Sequence, residues 1–254
     1  MFIDTHSHLY SHQFDKDIDK VIASAKSNNI SKIYLPNIDL DSIERMKVLE
    51  EKDSEYFKMM MGLHPGSVDE NYKKSLLVIE KELSEGDYAG VGEVGIDLYW
   101  DKTYKKEQTD AFSKQIQWAK ELNLPVIIHA RDAIDLTIDI IDKYQDGSLK
   151  GIFHCFTGNI NQAFKIMKLG FHMGIGGILT YKNSGLKEIV SQIPMEFLLL
   201  ETDAPYLPPV PFRGKRNESS YLIHIAAELA DLKNISIKDV ADITTKNASK
   251  VFDK

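Results

Sequence analysis

Short apolar runs, each about four to six residues long and rich in β-branched or aliphatic side chains, punctuate this chain from end to end. The first lies within 1–8, and others follow at 32–36, 57–63, 88–94, 125–129, 151–155, 171–175 and 197–201. Continuous apolar runs of this length predict strands buried on both faces. Between them, apolar residues recur at helical spacing. Phe14, Ile18, Val21, Ile22 and Ala25 predict a first helix stopped by Asn28 and Asn29, and Leu40, Ile43, Met46 and Leu49 a second. Leu76, Ile79 and Leu83 predict a third, ended near Gly86; Phe112, Ile116, Ala119 and Leu122 a fourth; Ile134, Ile138, Ile141 and Tyr144 a fifth, before Gly147. Shorter helices are expected after the sixth and seventh strands, and closing helices at 221–231 and 237–252.

Strand and helix alternating in this way indicate parallel βαβ units. Eight units in 254 residues favour a closed (β/α)8 TIM barrel, typically about 250 residues, as a single domain over 1–254. No G-x-G-x-x-G turn follows the first strand, which weakens a dinucleotide-binding reading.

The chemistry sits at the C-terminal edges of these runs. His6 and His8 end the first, His64 the third, Glu93 the fourth, His129 the fifth, His154 the sixth, and Glu201 and Asp203 the eighth. A parallel barrel gathers those edges at one face. His6 and His8 lie two apart on an extended chain, so both rings point the same way. An unpaired ring at the end of a buried run is costly without a partner or an ion, and Glu93 and Asp203 add charge that balances divalent cations. A polynuclear metal site at the C-terminal face follows.

Composition narrows the rest. Hydrophobic residues at 43% and charged residues at 27% are ordinary for a globular protein. No apolar stretch approaches the ~20 residues of a membrane span, and the N-terminus lacks a basic-then-apolar signal region. The lone Cys155 fits a reducing compartment, so a cytoplasmic enzyme is expected, with no membrane association and no obligate protein partner evident. A net charge of −7 argues against a general polyanion-coating role. It leaves room for a local basic site, and Arg213, Lys215 and Arg216 fall within four residues, shortly after Asp203.

The ordered motifs make a family resemblance specific. D-T-H-x-H stands at 4–8, G-x-H-P at 62–65, G-E-x-G-x-D at 92–97, I-H-x-R at 128–131, H-C-F-T-G at 154–158, L-E-T-D-A-P-Y-L at 200–207 and R-G-K-R-N-E at 213–218. The chain resembles the TatD-type metal-dependent deoxyribonucleases of the amidohydrolase superfamily. That resemblance implies His6, His8, Glu93, His129, His154 and Asp203 as metal ligands. His6 and His8 would share one ion with Asp203, His129 and His154 would hold the other, and Glu93 would bridge them. Two such ions, about 3.5–4 Å apart, activate water near neutral pH and stabilise both oxygens of an in-line displacement. The metal is open among zinc, manganese, magnesium, iron and cobalt; imidazole-rich sites suit the transition metals better than magnesium.

Asp203, with Glu93 and Glu201, forms the implied catalytic set: Asp203 takes the proton of the attacking water, and Glu201 positions a ligand from behind. Substrate contacts are assigned to His64, Arg131, Arg213, Lys215 and Arg216, although Arg131 could equally pair with Asp97 or Asp132. Asp97 reads as an orienting partner, Cys155 as a small core residue, and His12, His172 and His224 as surface or packing residues. The family commonly continues R-N-E-P-A, whereas this chain has Ser219-Ser220, so a looser loop is expected there.

By resemblance the substrate is DNA, single-stranded or at a 3′ end, cut as by a 3′–5′ exonuclease. Two alternatives stand beside it. One is a hydrolase of small esters, amides or lactones or of aminoacyl-tRNA esters, which would not need the 213–216 cations; the other is a binding protein with a vestigial site, against which the full ligand set argues.

Overall fold

The computed structural model describes residues 1–253. Eight parallel strands, β1 (Phe2–Asp4), β2 (Ile30–Pro36), β3 (Phe57–Met60), β4 (Val91–Asp97), β5 (Val126–Arg131), β6 (Gly151–Phe153), β7 (His172–Ile175) and β8 (Leu198–Leu200), stand in chain order. Regular ladders join β1 to β3 and β4 to β8, and two shorter seams close the ring. At the β3–β4 seam, Met61 bridges Val91 and Ala89 N–H donates to the Met59 carbonyl at 2.8 Å. At the β8–β1 seam, Thr5 N–H donates to the Leu200 carbonyl at 3.1 Å and Ser7 bridges Ala204. The expected (β/α)8 TIM barrel is the observed fold.

Helices α1 (Ile18–Ser27), α2 (Leu40–Glu50), α3 (Tyr72–Glu85), α4 (Lys105–Leu122), α5 (Ile134–Tyr144), α6 (Ile160–Lys168), α7 (Leu186–Val190) and α8 (Leu222–Lys233) follow the strands, and α9 (Ile237–Phe252) comes last. Local chemistry fixes their ends. Reciprocal capping boxes start α2 (Asp39 with Ser42), α6 (Asn159 with Gln162) and α9 (Ser236 with Asp239), while Asn29, in a left-handed conformation at φ 61°, stops the chain behind α1.

The core has two layers. One fills the space between strands and helices; the other fills the barrel interior with Tyr34, Met60, Ile127, Ile152 and Leu199 from five strands. The end of α9 completes the second layer through Ala248, Val251 and Phe252, whose ring stacks on Tyr34 at 3.7 Å. Asn247 donates to the carbonyls of Met195 and Leu198, and Lys150 to that of Asp253, so α9 lies across the N-terminal end of the barrel. The opposite end is left for loops.

Several strand edges shift by a few residues, and three departures bear on the packing. β4 runs 91–97 rather than 88–94, because Tyr88 belongs to the α3 side, with its hydroxyl on Glu82 at 2.7 Å; the shift puts Asp97 at the strand's end. Phe14 lies in a 3-10 turn ahead of α1, and Leu122 is largely exposed while Gln115 and Trp118 join the buried face of α4. Among the described residues, no helix is long and apolar enough to cross a membrane.

Candidate metal centre

The β8–β1 seam builds one half of the centre. Beyond Asp4 the chain runs extended, and Asp203 N–H donates to the His6 carbonyl at 2.9 Å. The Nε2 atoms of His6 and His8 lie 3.2 Å apart, with Asp203 Oδ1 at 3.7 and 3.5 Å from them.

β4 carries Glu93 into the middle, where its two oxygens face different groups of rings. Oε2 lies 3.1 Å from His6 Nε2 and 3.5 Å from His8 Nε2. Oε1 lies 2.8 Å from His129 Nδ1, 3.0 Å from His154 Nε2 and 3.5 Å from His64 Nε2. The donor atoms of His6, His8 and Asp203, of His6, Glu93 and His154, and of His64, Glu93 and His129 each fall within 4.8 Å of one another. All six ligands expected from sequence meet here, and His64 joins them.

What stands behind four of the five rings fixes their tautomers; His6 Nδ1 is buried without a partner. Tyr10 gives its only hydroxyl proton to the Pro36 carbonyl, so His8 Nδ1, 2.8 Å from that hydroxyl, must be the donor. Asp97 accepts from His129 Nε2 at 3.0 Å, and Glu201 faces His154 Nδ1 at 3.2 Å. Three rings thus present bare nitrogens to the anionic Glu93 and Asp203, and lone pairs facing carboxylate oxygens near 3 Å repel unless a cation or proton lies between. The donor set therefore fits divalent metal. His64 differs: its Nδ1 accepts from Gly66 N–H at 2.9 Å, which places its own proton on Nε2. It faces Glu93 Oε1 with a proton, unlike the three rings above.

The electrostatics agree. Burial works against charge on every ring, yet Asp203 and Glu93 push His8 up to about 10. Asp97 and Glu93 raise His129, and Glu93 and Glu201 raise His154 well above the usual imidazole range. Burial prevails at His6 and His64, which are lowered. Burial would lift Glu93, but His154, His6 and His64 hold its carboxyl well below the ordinary value; likewise burial would lift Asp203, which His8 lowers. The cavity attracts positive charge to its centre.

Glu201 supports a ring from behind, as expected, but its place among the reacting carboxylates needs a correction. Placed with the catalytic carboxylates on sequence, it lies fully buried behind His154, with Oε1 also accepting from Cys155 N–H at 2.6 Å. It positions a ring and does not face the centre. Gly174 makes room for it, since a Cβ there would stand 1.9 Å from Glu201 Oε2. Cys155 is half-buried rather than a core residue, in a left-handed conformation at φ 46°.

Arg216 is the second correction. Its guanidinium makes a bidentate pair with Asp17 at 2.8 Å and donates to the Gln13 carbonyl, so it braces the loop against the chain ahead of α1. Arg213 and Lys215 remain exposed, Arg213 lying 4.3 Å over the Tyr181 ring. Arg131 pairs with neither Asp97 nor Asp132; its guanidinium covers Tyr99 at 3.8 Å. His12 is exposed against Asp15, His172 packs beside Phe197, and His224 beside Phe212.

Ser219 also overturns its expectation. Its hydroxyl donates to the buried Asp4 at 2.6 Å, beside Thr202 Oγ1 at 2.7 Å, and Asn217 donates to the carbonyls of Thr202 and Tyr206. These contacts pin the loop without the proline. Burial nevertheless pushes Asp4 up to about 7, against those hydrogen bonds.

Of the residues that shape the centre, Tyr10 and Gly174 were not singled out from sequence. Tyr10 carried a signal, the two-residue spacing after His8; Gly174 carried none.

Comparison with known proteins agrees with this geometry. The model of the TatD-related DNase family matches residues 3–253. The Bacillus subtilis protein YabD, described as an uncharacterized metal-dependent hydrolase, is 40% identical over 254 residues, covering 99% of each chain. Escherichia coli YcfH, described in the same words, is 32% identical over 98% of this chain and 95% of its own. The crystal structure of YjjV, a TatD homologue from Escherichia coli, superposes with a TM-score of 0.93 at 28% identity, covering 100% of this chain and 98% of that one. A TatD family hydrolase from Entamoeba histolytica, at 22% identity and a TM-score of 0.85, shares the fold. The chain belongs to the TatD-related DNase family and is a metal-dependent hydrolase.

Proposed function

We propose that this hydrolase is a deoxyribonuclease that removes nucleotides from the 3′ end of single-stranded DNA. The observation that carries the reading is Glu93, whose two oxygens face two separate sets of imidazoles on the rim that also exposes Arg213 and Lys215. His6, His8 and Asp203 would hold one ion and His129 and His154 the other, with Glu93 between them. Bound there, the ions supply Lewis acidity and a water of lowered pKa.

The protein's own groups do the rest. Asp203, held ionised by His8, accepts the proton of the attacking water. Tyr10, Asp97 and Glu201 keep three rings in the tautomers the site requires. His64 donates from Nε2 to a phosphate oxygen, and Arg213 and Lys215 bind the strand's backbone.

The test compares 3′-labelled and 5′-labelled single strands, a small phosphodiester and an aminoacyl ester, each with zinc, manganese, cobalt or magnesium restored to stripped protein. Stepwise shortening from the 3′ end is expected. Removing the charges of Arg213 and Lys215 together should raise KM for DNA and flatten its salt dependence by about 0.7 per lost phosphate contact, with the small phosphodiester little changed. Ester hydrolysis without DNA cleavage under every metal would overturn the reading.

A further inference from the structure

On the rim opposite the 213–215 loop stands a group of side chains that neither the metal centre nor the phosphate contacts use. Trp100 is 78% exposed, the most exposed of the large hydrophobic side chains among the described residues, and Tyr99 beside it is 52% exposed. Their rings meet edge to face at 4.9 Å and 89°. Arg131 covers the Tyr99 ring at 3.8 Å and lies 5.4 Å from that of Trp100.

Two features tie this group to the centre. Asp97 accepts from Tyr99 N–H through Oδ1 at 2.9 Å and faces His129 Nε2 through Oδ2, so one carboxylate fixes both the aromatic turn and a ring of the centre. Asp97 is also the register partner of Arg131, two residues past His129, which puts turn and guanidinium at the same height on adjacent strand ends. An indole left in water forgoes its hydrophobic stabilisation unless something covers it. A flat ring with a cation beside it suits one ligand chemistry, a planar base carried on an anionic backbone.

We propose that Trp100, Tyr99 and Arg131 form a stacking platform for a nucleobase of the single strand, with Arg131 shared between ring and phosphate. The platform rests on the nuclease reading and names what that reading lacks, a contact to the bases. Across the mouth, Arg213 over Tyr181 repeats the pairing of guanidinium on tyrosine, so ring and cation recur on both sides.

The chain's two tryptophans make the test direct. Trp118 is buried with its indole N–H on Glu80 at 2.8 Å, so Trp100 is the solvent-exposed reporter. The metal-loaded protein is titrated with a phosphorothioate-linked oligothymidylate of about eight nucleotides, and with an abasic strand of the same backbone and charge. The thymidylate should quench Trp100 fluorescence and bind about tenfold tighter than the abasic strand. Trp100→Ala should erase that preference without altering abasic binding, and Trp100→Phe should restore most of it. If the two strands bind alike and Trp100→Ala changes neither, while DNA is still bound and cut, the platform is overturned and the nuclease reading stands. If neither strand binds and no DNA is cut, the nuclease reading fails and takes the platform with it.

Discussion

The two ends of the barrel are solved by opposite means. At the N-terminal end, α9 closes the interior with Ala248, Val251 and Phe252, and the Tyr34–Phe252 stack is an apolar contact with no charge to manage. At the C-terminal end, five imidazoles crowd one carboxylate, and most of the facing nitrogens and oxygens tolerate their distances only with a metal ion or a proton between them. One end lowers the free energy of the fold; the other stores electrostatic demand for a ligand to relieve. In barrels of this class the C-terminal face carries chemistry and the N-terminal face stability, and here that division can be traced to individual atoms.

The comparison breaks most visibly at Asp203. Asp203→Asn should lower turnover by about 10²- to 10⁴-fold at saturating metal, while the metal-free protein keeps its fold and loses in melting temperature only what its pairing with His8 contributed. Steady-state rates beside thermal denaturation check both halves. Phe252→Ala should do the reverse. Emptying the stack on Tyr34 should cost about 3 kcal/mol of unfolding free energy, leaving kcat of the folded protein and its metal affinity within twofold; denaturant unfolding and metal titration read these separately. Parallel losses of activity and stability in either variant would erase the division.

Ser219→Ala sharpens the contrast with the smallest effect. Ser219 belongs to the chemical end of the barrel but acts as a structural residue there, and removing its hydroxyl leaves Asp4 short of a donor. A loss of about 1–3 kcal/mol is expected, together with faster proteolysis in the 213–218 loop and unchanged metal stoichiometry. A variant as stable as the parent would return the loop to the looser state its sequence led one to expect.

The chain's pattern made the barrel legible because each strand is a local apolar run and each helix a local periodicity; neither depends on distant contacts. The metal donors were legible for a related reason, since a polar ring at the end of such a run is anomalous by itself. What could not be read depends on pairs far apart in the chain. Arg216 meets Asp17 across 199 positions and Ser219 meets Asp4 across 215. Glu201 was seen to support a ligand but was also grouped with the reacting carboxylates, since only the folded chain shows His154 standing in front of it. His64 illustrates the remaining limit: distance admits it to the donor set, and a single backbone N–H from Gly66 decides its chemistry.

The β8–β1 seam gives the centre a place in the life of the polypeptide. His6 and His8 are made before Asp203, which is the 195th residue after His8. During synthesis the N-terminal pair exists through most of the chain's production without its third donor, and Asp203 reaches it only when the last strand docks beside the first. Loading of that half of the centre therefore reports a barrel closed between its last strand and its first, and a polypeptide halted before β8 has no such site to load.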